Sequence, residues 1–147
     1  MRLSVIVPVY NEVKSIEEII RRVQATRLAA EIIIVDDGST DGTRDRLANL
    51  DGRDSVRVIL HKKNQGKGAA VRTGIAAACG DVLLIQDADL EYDPREYPTL
   101  LQPIEEGLAD VVYGSRFLGA PHRAILFWNM VANRLLTLLT NLLYNNI

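Results

Sequence analysis

One cysteine, Cys79, stands among 147 residues. No intrachain disulfide can form, which excludes a small secreted scaffold held by bridges. Cys79 lies in an alanine-rich segment, and the expectation is a buried, inert thiol in a reducing, cytoplasmic setting. Basic runs are equally scarce. The longest is His61-Lys62-Lys63 and the formal net charge is −2, so no nucleic-acid partner is expected. His61 and His122 lack metal-ligand spacing and read as ordinary surface residues. No internal repeat or low-complexity linker is visible, and Met1-Arg2 runs directly into apolar residues, so no signal peptide is expected. Two nucleotide-binding signatures are missing too. G-x-G-x-x-G would follow the first strand of a dinucleotide domain, where Pro8-Val9-Tyr10-Asn11-Glu12 stands instead. Gly66-Lys67-Gly68 is too short for a G-x-x-x-x-G-K-[ST] loop.

What is present is ordinary for one globular domain: 48% hydrophobic and 24% charged residues. A chain of this length buries about two-thirds of its unfolded surface. Short aliphatic runs alternate with helical spacing. Leu3 to Val9, Ile32 to Val35, Val56 to Leu60, Val82 to Ile85 and Val111 to Tyr113 read as five strands. Between them, Ser15-Ile16-Glu17-Glu18 reads as a capping box ahead of Ile19, Ile20 and Val23, and a short helix spans Arg44 to Leu50. A third helix spans Ala69 to Cys79 with Gly80 as its C-terminal cap. Asp93-Pro94-Arg95-Glu96 has a capping acid and a proline at the first helical position. Pro98 and Pro103 then predict two short helices ending near Gly107. Strands alternating with helices predict an α/β fold with a parallel, doubly wound sheet.

The most informative stretch is Asp81 to Pro94. Its aliphatic run predicts a strand buried on both faces, and Asp87 and Asp89 follow one residue apart. In an extended backbone such residues point the same way. Two like charges about 4 Å apart repel by roughly 4 kcal/mol at an effective dielectric near 20. A hard divalent cation, Mg²⁺ or Mn²⁺, relieves that repulsion. A solvated acidic loop is the alternative reading of the same residues. Every acidic or glycine-rich cluster nevertheless falls just past a strand: Tyr10 to Glu12, Asp36 to Gly38, Asn64 to Gly68, Asp87 to Glu91 and Gly114 to Arg116. In a parallel sheet that is one edge, the edge where ligands bind.

Val7-Pro8-Val9-Tyr10-Asn11-Glu12, Val35-Asp36-Asp37-Gly38-Ser39-Thr40-Asp41-Gly42-Thr43, Asp87-Ala88-Asp89 and Gly114-Ser115-Arg116 together resemble a family 2 glycosyltransferase of the GT-A fold. Gln86 to Pro94 resembles the dolichol-phosphate mannose or glucose synthase branch. The resemblance implies a Rossmann-like, mostly parallel sheet with helices on both faces, and it implies roles. Pro8, Tyr10 and Glu12 would line the base and ribose pocket. Asp37 would accept a hydrogen bond from the base, with Asp36, Gly38 and Ser39 shaping the turn. Asp87 and Asp89 would hold Mg²⁺ or Mn²⁺ against the diphosphate, and Ala88 would let the ribose approach. Glu91 stands either as a further metal ligand or as a surface acid, and Lys67 either as a phosphate contact or as a solvated loop lysine. Arg116 fits a phosphate clamp. The implied reaction is inverting transfer of a hexose from UDP or GDP, with the acceptor attacking opposite the leaving group. A lipid-phosphate acceptor is already an anion and needs no general base. A non-catalytic or truncated nucleotide-sugar-binding module is the second reading.

The nucleotide-sugar-binding core is expected over 1–120, with residues 121–147 forming an amphipathic helix of the same domain. From Ala124 onward the sequence is apolar except for a stripe that includes Asn129, Asn133, Thr137 and Asn141, with Arg134 interrupting. It is too polar for a transmembrane span. It fits a core helix over the sheet, or an interfacial helix at the cytoplasmic face of a membrane or in a homo-oligomer. The resemblance implies further acceptor-side structure past this helix, whereas the sequence stops at Asn145-Asn146-Ile147, so a fragment is expected.

Overall fold

Four of the five expected strands form: β1 (Leu3–Val9), β2 (Ala29–Asp36), β3 (Val56–Leu60) and β4 (Val82–Ile85). The computed structural model describes residues 1–114 and Leu135. Arg116, His122 and, apart from Leu135, the segment from Ala124 lie outside the described residues. Within the compact unit Met1–Val111, all the strands are parallel, in the order β3-β2-β1-β4. Helices α1 (Ile16–Thr26), α2 (Thr43–Ala48) and α3 (Lys67–Ala77) fill the three crossovers. A 3-10 turn over Pro94–Glu96 leads into α4 (Tyr97–Glu105).

The central strand explains the layering. Every residue of β1 is buried. Leu3, Val5, Val7 and Val9 join one core with Ile16, Ile19, Ile20 and Val23 of α1 and with Tyr97 and Leu101 of α4. Burying each such aliphatic side chain stabilises the fold by about 1.5–3 kcal/mol. On the opposite face Ile33 and Val35 pack with Ala70 of α3. There α3 lies so close that a Cβ added at Gly74 would stand 2.4 Å from Ile6 Cγ2. Small residues let this helix approach the sheet, and helices therefore cover both faces.

The strand order also sets where a ligand fits. From β1 the chain moves outward to β2 and β3, then crosses back to place β4 on the other side of β1. The strand order reverses between β1 and β4, and a crevice opens beyond the carboxyl ends of the strands at such a switch point.

Several local expectations need correction. Val111 to Tyr113 forms no strand, and Val111 and Tyr113 are 64% and 89% exposed. Three apolar residues supply β propensity, but propensity is realised only through packing against neighbours. β4 is not buried on both faces: Val82 and Leu84 face the core, while Leu83 and Ile85 are exposed. It is an edge strand among the described residues. Ser15 is not a side-chain cap, because its hydroxyl donates to Glu12 Oε2 at 2.5 Å, and Glu18 turns to Arg21 and Arg22 instead. Pro103 sits inside α4 without ending it, forgoing one backbone bond to the turn before it. Helix α3 ends at Ala77, with Ala78 extended, so Gly80 is no left-handed cap. Its lack of a side chain serves packing, since a Cβ there would lie 2.4 Å from Ser4 Oγ. Cys79, past the helix end, is exposed rather than buried.

Candidate active site

A cleft of about 290 Å³ opens at the carboxyl edge of the sheet, and each of the four strands contributes to it. Pro8, Val9, Tyr10 and Glu12 come from the end of β1, and Asp37 from the end of β2. Asn64, Gly66, Lys67 and Ala70 come from the loop after β3 and the start of α3, and Asp87, Ala88 and Asp89 from the loop after β4. Eight of the residues singled out in the sequence thus meet around one space: Pro8, Tyr10, Glu12, Asp37, Lys67, Asp87, Ala88 and Asp89. Asp36, Gly38 and Ser39 stand behind the wall rather than in it.

Behind that wall the β2 loop is tied to the β1 loop. Asp36 Oδ1 accepts from the Gly38 and Ser39 backbones at 3.2 Å each and from Arg44 Nε at 2.7 Å. Ser39 Oγ accepts from Asn11 N at 2.9 Å, and Asn11 Oδ1 accepts from Thr40 N at 2.9 Å. Thr43 Oγ1 accepts from Glu12 N at 2.9 Å. Gly38 has φ +83°, and a Cβ there would fall 2.6 Å from Asn64 N. Glycine is required twice over, by the backbone and by the loop pressed against it.

Asp37 is more deeply engaged than a ligand-reading residue needs to be. Oδ1 takes His61 Nδ1 at 2.7 Å and Gln65 N at 3.0 Å, and Oδ2 takes Gln65 N at 3.0 Å and Gly66 N at 2.7 Å. Burial pushes its carboxyl up, but these donors outweigh burial and hold it below the ordinary carboxylate range. His61 is therefore not a surface residue. Its ring is 10% exposed and bridges Asp37 to Thr73 Oγ1 of α3, 2.9 Å from Nε2. A carboxylate can only accept, so Nδ1 carries a proton; in the neutral ring Nε2 then accepts from the Thr73 hydroxyl.

The β4 end is built differently. Asp87 and Asp89 do share the cleft, but not through strand alternation. The chain leaves β4 at Ile85 and turns over 88–90, with Leu90 at φ 64° and Asp89 Oδ1 accepting from Glu91 N at 2.9 Å. Beneath them lies Gln86, buried, a residue sequence reasoning missed. Its amide donates to Asp87 O at 3.0 Å and Tyr92 O at 3.3 Å, and accepts from the Tyr97 hydroxyl at 2.8 Å. The one signal in the sequence is an amide between an aliphatic run and an acidic loop. Asp93 caps the following turn as expected, accepting from Arg95 N at 3.0 Å. The Arg95 side chain and backbone bring its carboxyl down to about 2.

Lys67 Nζ lies 2.5 Å from Asp87 Oδ1. The β4 end of the cleft thus gathers two carboxylates and one ammonium. Among the described residues no three histidine, cysteine, aspartate or glutamate side chains form a metal cluster. Glu91 is not among the residues lining the cleft, although its backbone N–H donates to Asp89 Oδ1. Two hard carboxylates still fit Mg²⁺ or Mn²⁺, which are commonly held by one or two carboxylates plus substrate phosphates and water.

Residues 4–146 match the model of Glycosyl transferase family 2. A dolichol-phosphate mannosyltransferase of Pyrococcus furiosus is 38% identical over 120 residues, 80% of this chain and 34% of that protein. An undecaprenyl-phosphate 4-deoxy-4-formamido-L-arabinose transferase of Pseudomonas aeruginosa is 42% identical over 117 residues, 75% of this chain and 34% of that one. The chain spans about a third of the length of these curated relatives. Among solved structures, glucosyl-3-phosphoglycerate synthase of Mycobacterium tuberculosis, crystallised with Mn²⁺ and UDP-glucose, superposes with a TM-score of 0.59 at 30% identity. The match covers 70% of this chain and 39% of that one. The parallel sheet with its carboxyl-edge cleft is thus the core of a GT-A fold, and the chain belongs to glycosyltransferase family 2.

Proposed function

We propose that this chain is the donor-binding part of a metal-dependent, inverting glycosyltransferase that moves a hexose from a UDP or GDP sugar to a polyprenyl phosphate. The observation that carries the reading is the cleft itself. Three strand ends bring Pro8, Tyr10 and Asp37 together with Asp87 and Asp89 in one space. Support for the acceptor comes from two relatives whose names place sugar transfer on dolichol phosphate and undecaprenyl phosphate. Support for the donor and the cation comes from the solved relative with Mn²⁺ and UDP-glucose.

Each residue has a task in this reading. Pro8 and Tyr10 give the base and ribose an apolar wall, with Glu12 beside them. Asp37 holds Gln65 and Gly66 in place, and a base N–H reaches it only by sharing an oxygen already in use. Asp87 and Asp89 would hold Mg²⁺ or Mn²⁺, which as a Lewis acid disperses the charge gathering on the diphosphate as it leaves. Buried Ala88 keeps the wall between them low, as the resemblance implies for the ribose. Lys67 supplies a positive charge at the same end, and Arg116 is assigned to the phosphates from the sequence motif alone. In the reaction an acceptor phosphate oxygen forms the bond to the anomeric carbon. The bond from that carbon to the donor diphosphate breaks, and its electron pair leaves with the nucleotide.

No helix among the described residues is long and apolar enough to cross a membrane. We assign the segment from Ala124, by its sequence, to a peripheral contact with the cytoplasmic membrane face or with a second copy. Liposome flotation and sedimentation, each weakened by Leu136→Glu, test that assignment.

The test of the function is transfer of labelled sugar from UDP-glucose or GDP-mannose to a polyprenyl phosphate with Mn²⁺ present. Product that disappears with Asp89→Asn supports the reading. The second reading is a nucleotide-sugar-binding module that transfers nothing. That reading is met if nucleotide binds with Mn²⁺ but no product forms.

A further inference from the structure

Among the described residues, Lys67 is the one lining the cleft whose charge opposes that of its neighbours. It sits at the first position of α3, directly after Gly66 with φ 89°, and its side chain reaches the far wall to meet Asp87 Oδ1 at 2.5 Å. The two ends of this pair differ in freedom. The lysine side chain is 62% exposed and the aspartate 22%. The backbone carrying Asp87 is held from below by Gln86, whereas the ammonium rides on a four-carbon stem in water. A change of partner therefore moves the lysine and leaves the aspartate in place.

We propose that Lys67 is a resident counter-cation for Asp87, exchanged for the divalent cation when a diphosphate arrives. This rests on the donor and cation reading given above. The ammonium and a divalent cation would compete for the one carboxylate of Asp87, because two cations at contact distance from it repel each other strongly. Metal alone must displace the lysine into water. Metal arriving with a diphosphate gives the released ammonium new phosphate oxygens to bind. Lys67 thereby opposes the bare ion and favours the ion with its nucleotide, which makes the two ligands cooperate. It also relieves the acidic end of the cleft while no ligand is there.

Such exchange predicts changes of opposite sign, which a merely structural lysine does not give. Mn²⁺ alone is titrated into wild type, Lys67→Met and Lys67→Arg, with free Mn²⁺ read by electron paramagnetic resonance. Lys67→Met is expected to bind bare Mn²⁺ about two- to five-fold more tightly, the range an exposed ion pair is worth. Lys67→Arg, which keeps the charge, stays near wild type. With Mn²⁺ saturating, UDP and GDP are then titrated by calorimetry. The nucleotide that wild type binds is expected to bind Lys67→Met about ten-fold more weakly, the order of one lost charge-assisted contact. Bare Mn²⁺ affinity that is unchanged or lower in Lys67→Met overturns the exchange, as does unchanged nucleotide affinity. Failure of the donor reading looks different: neither nucleotide then binds the wild type, while the bare-ion comparison still decides whether Lys67 competes for Asp87.

Discussion

The two acidic ends of the cleft are built in opposite ways. At the β2 end, Asp37 is buried, and both its oxygens are committed to His61 and to the backbone of Gln65 and Gly66. At the β4 end, Asp87 faces a mobile type of partner, a lysine side chain that is 62% exposed, and Asp89 accepts from Glu91 N while remaining exposed. The contrast separates two uses of a carboxylate. A charge that organises loops belongs to the fold and is costly to remove. A charge balanced by a solvated lysine can be passed to a ligand at little structural cost.

The largest expected effect is on the committed end. Asp37→Ala leaves two backbone N–H groups and the His61 ring without their acceptor, and is expected to destabilise the protein by about 2–4 kcal/mol in urea unfolding. Free nucleoside affinity should fall as well, because the 64–66 loop forms part of the cleft wall. Equal stability in wild type and mutant would remove the distinction drawn between the two ends.

Gln86→Ala comes next. It strips Tyr97 of its buried acceptor and the Asp87 loop of its support, with an expected cost of about 1–3 kcal/mol. Because the loop then loses its seat, metal-assisted nucleotide binding should weaken although no cleft side chain has changed. Calorimetry on the folded variant checks this, and a stability loss with binding intact would show that Gln86 serves the core alone.

Asp89→Asn should divide the two properties. Stability is expected to stay within about 0.5 kcal/mol, as for other exposed substitutions. Metal-assisted diphosphate affinity should fall about ten-fold, near 1.4 kcal/mol, with bare nucleoside affinity unaltered. A large drop in stability would mean that this aspartate, too, is part of the fold.

Acid gives the smallest expected effect. The Asp37 carboxyl lies below its unfolded value, so its contribution is complete above about pH 4 and is lost as pH falls through the folded value. Unfolding free energy should be level between about pH 5 and 7 in this respect and decline below about pH 4. Asp37→Asn should show a shallower decline.

Much of the frame was legible from local pattern. The aliphatic runs at Leu3 to Val9, Val56 to Leu60 and Val82 to Ile85 became strands with the expected limits. The acidic and glycine-rich segments after the four strands met at one edge because parallel strands send all their carboxyl ends the same way. Asp93 capped its turn because a capping acid acts on a backbone N–H two residues away. The strand limits and the cap depend only on neighbours along the chain.

Other features depend on which strand lies beside which. β4 next to β1 makes the crevice, and nothing within either strand specifies that order. Asp37 meets Gly66 across a separation of 29 residues, and His61 meets Asp37 across 24, so the histidine that spacing assigned to the surface lies beneath the cleft. Gln86 and Tyr97 find each other only after α4 folds onto the sheet. Cys79 is exposed because α3 ends two residues earlier than its composition suggested. Local pattern decided where the chain carries its charges. Tertiary packing decided which of them are consumed by the fold, because hydrogen-bond partners for a buried group come from whatever the strand order brings within about 3 Å.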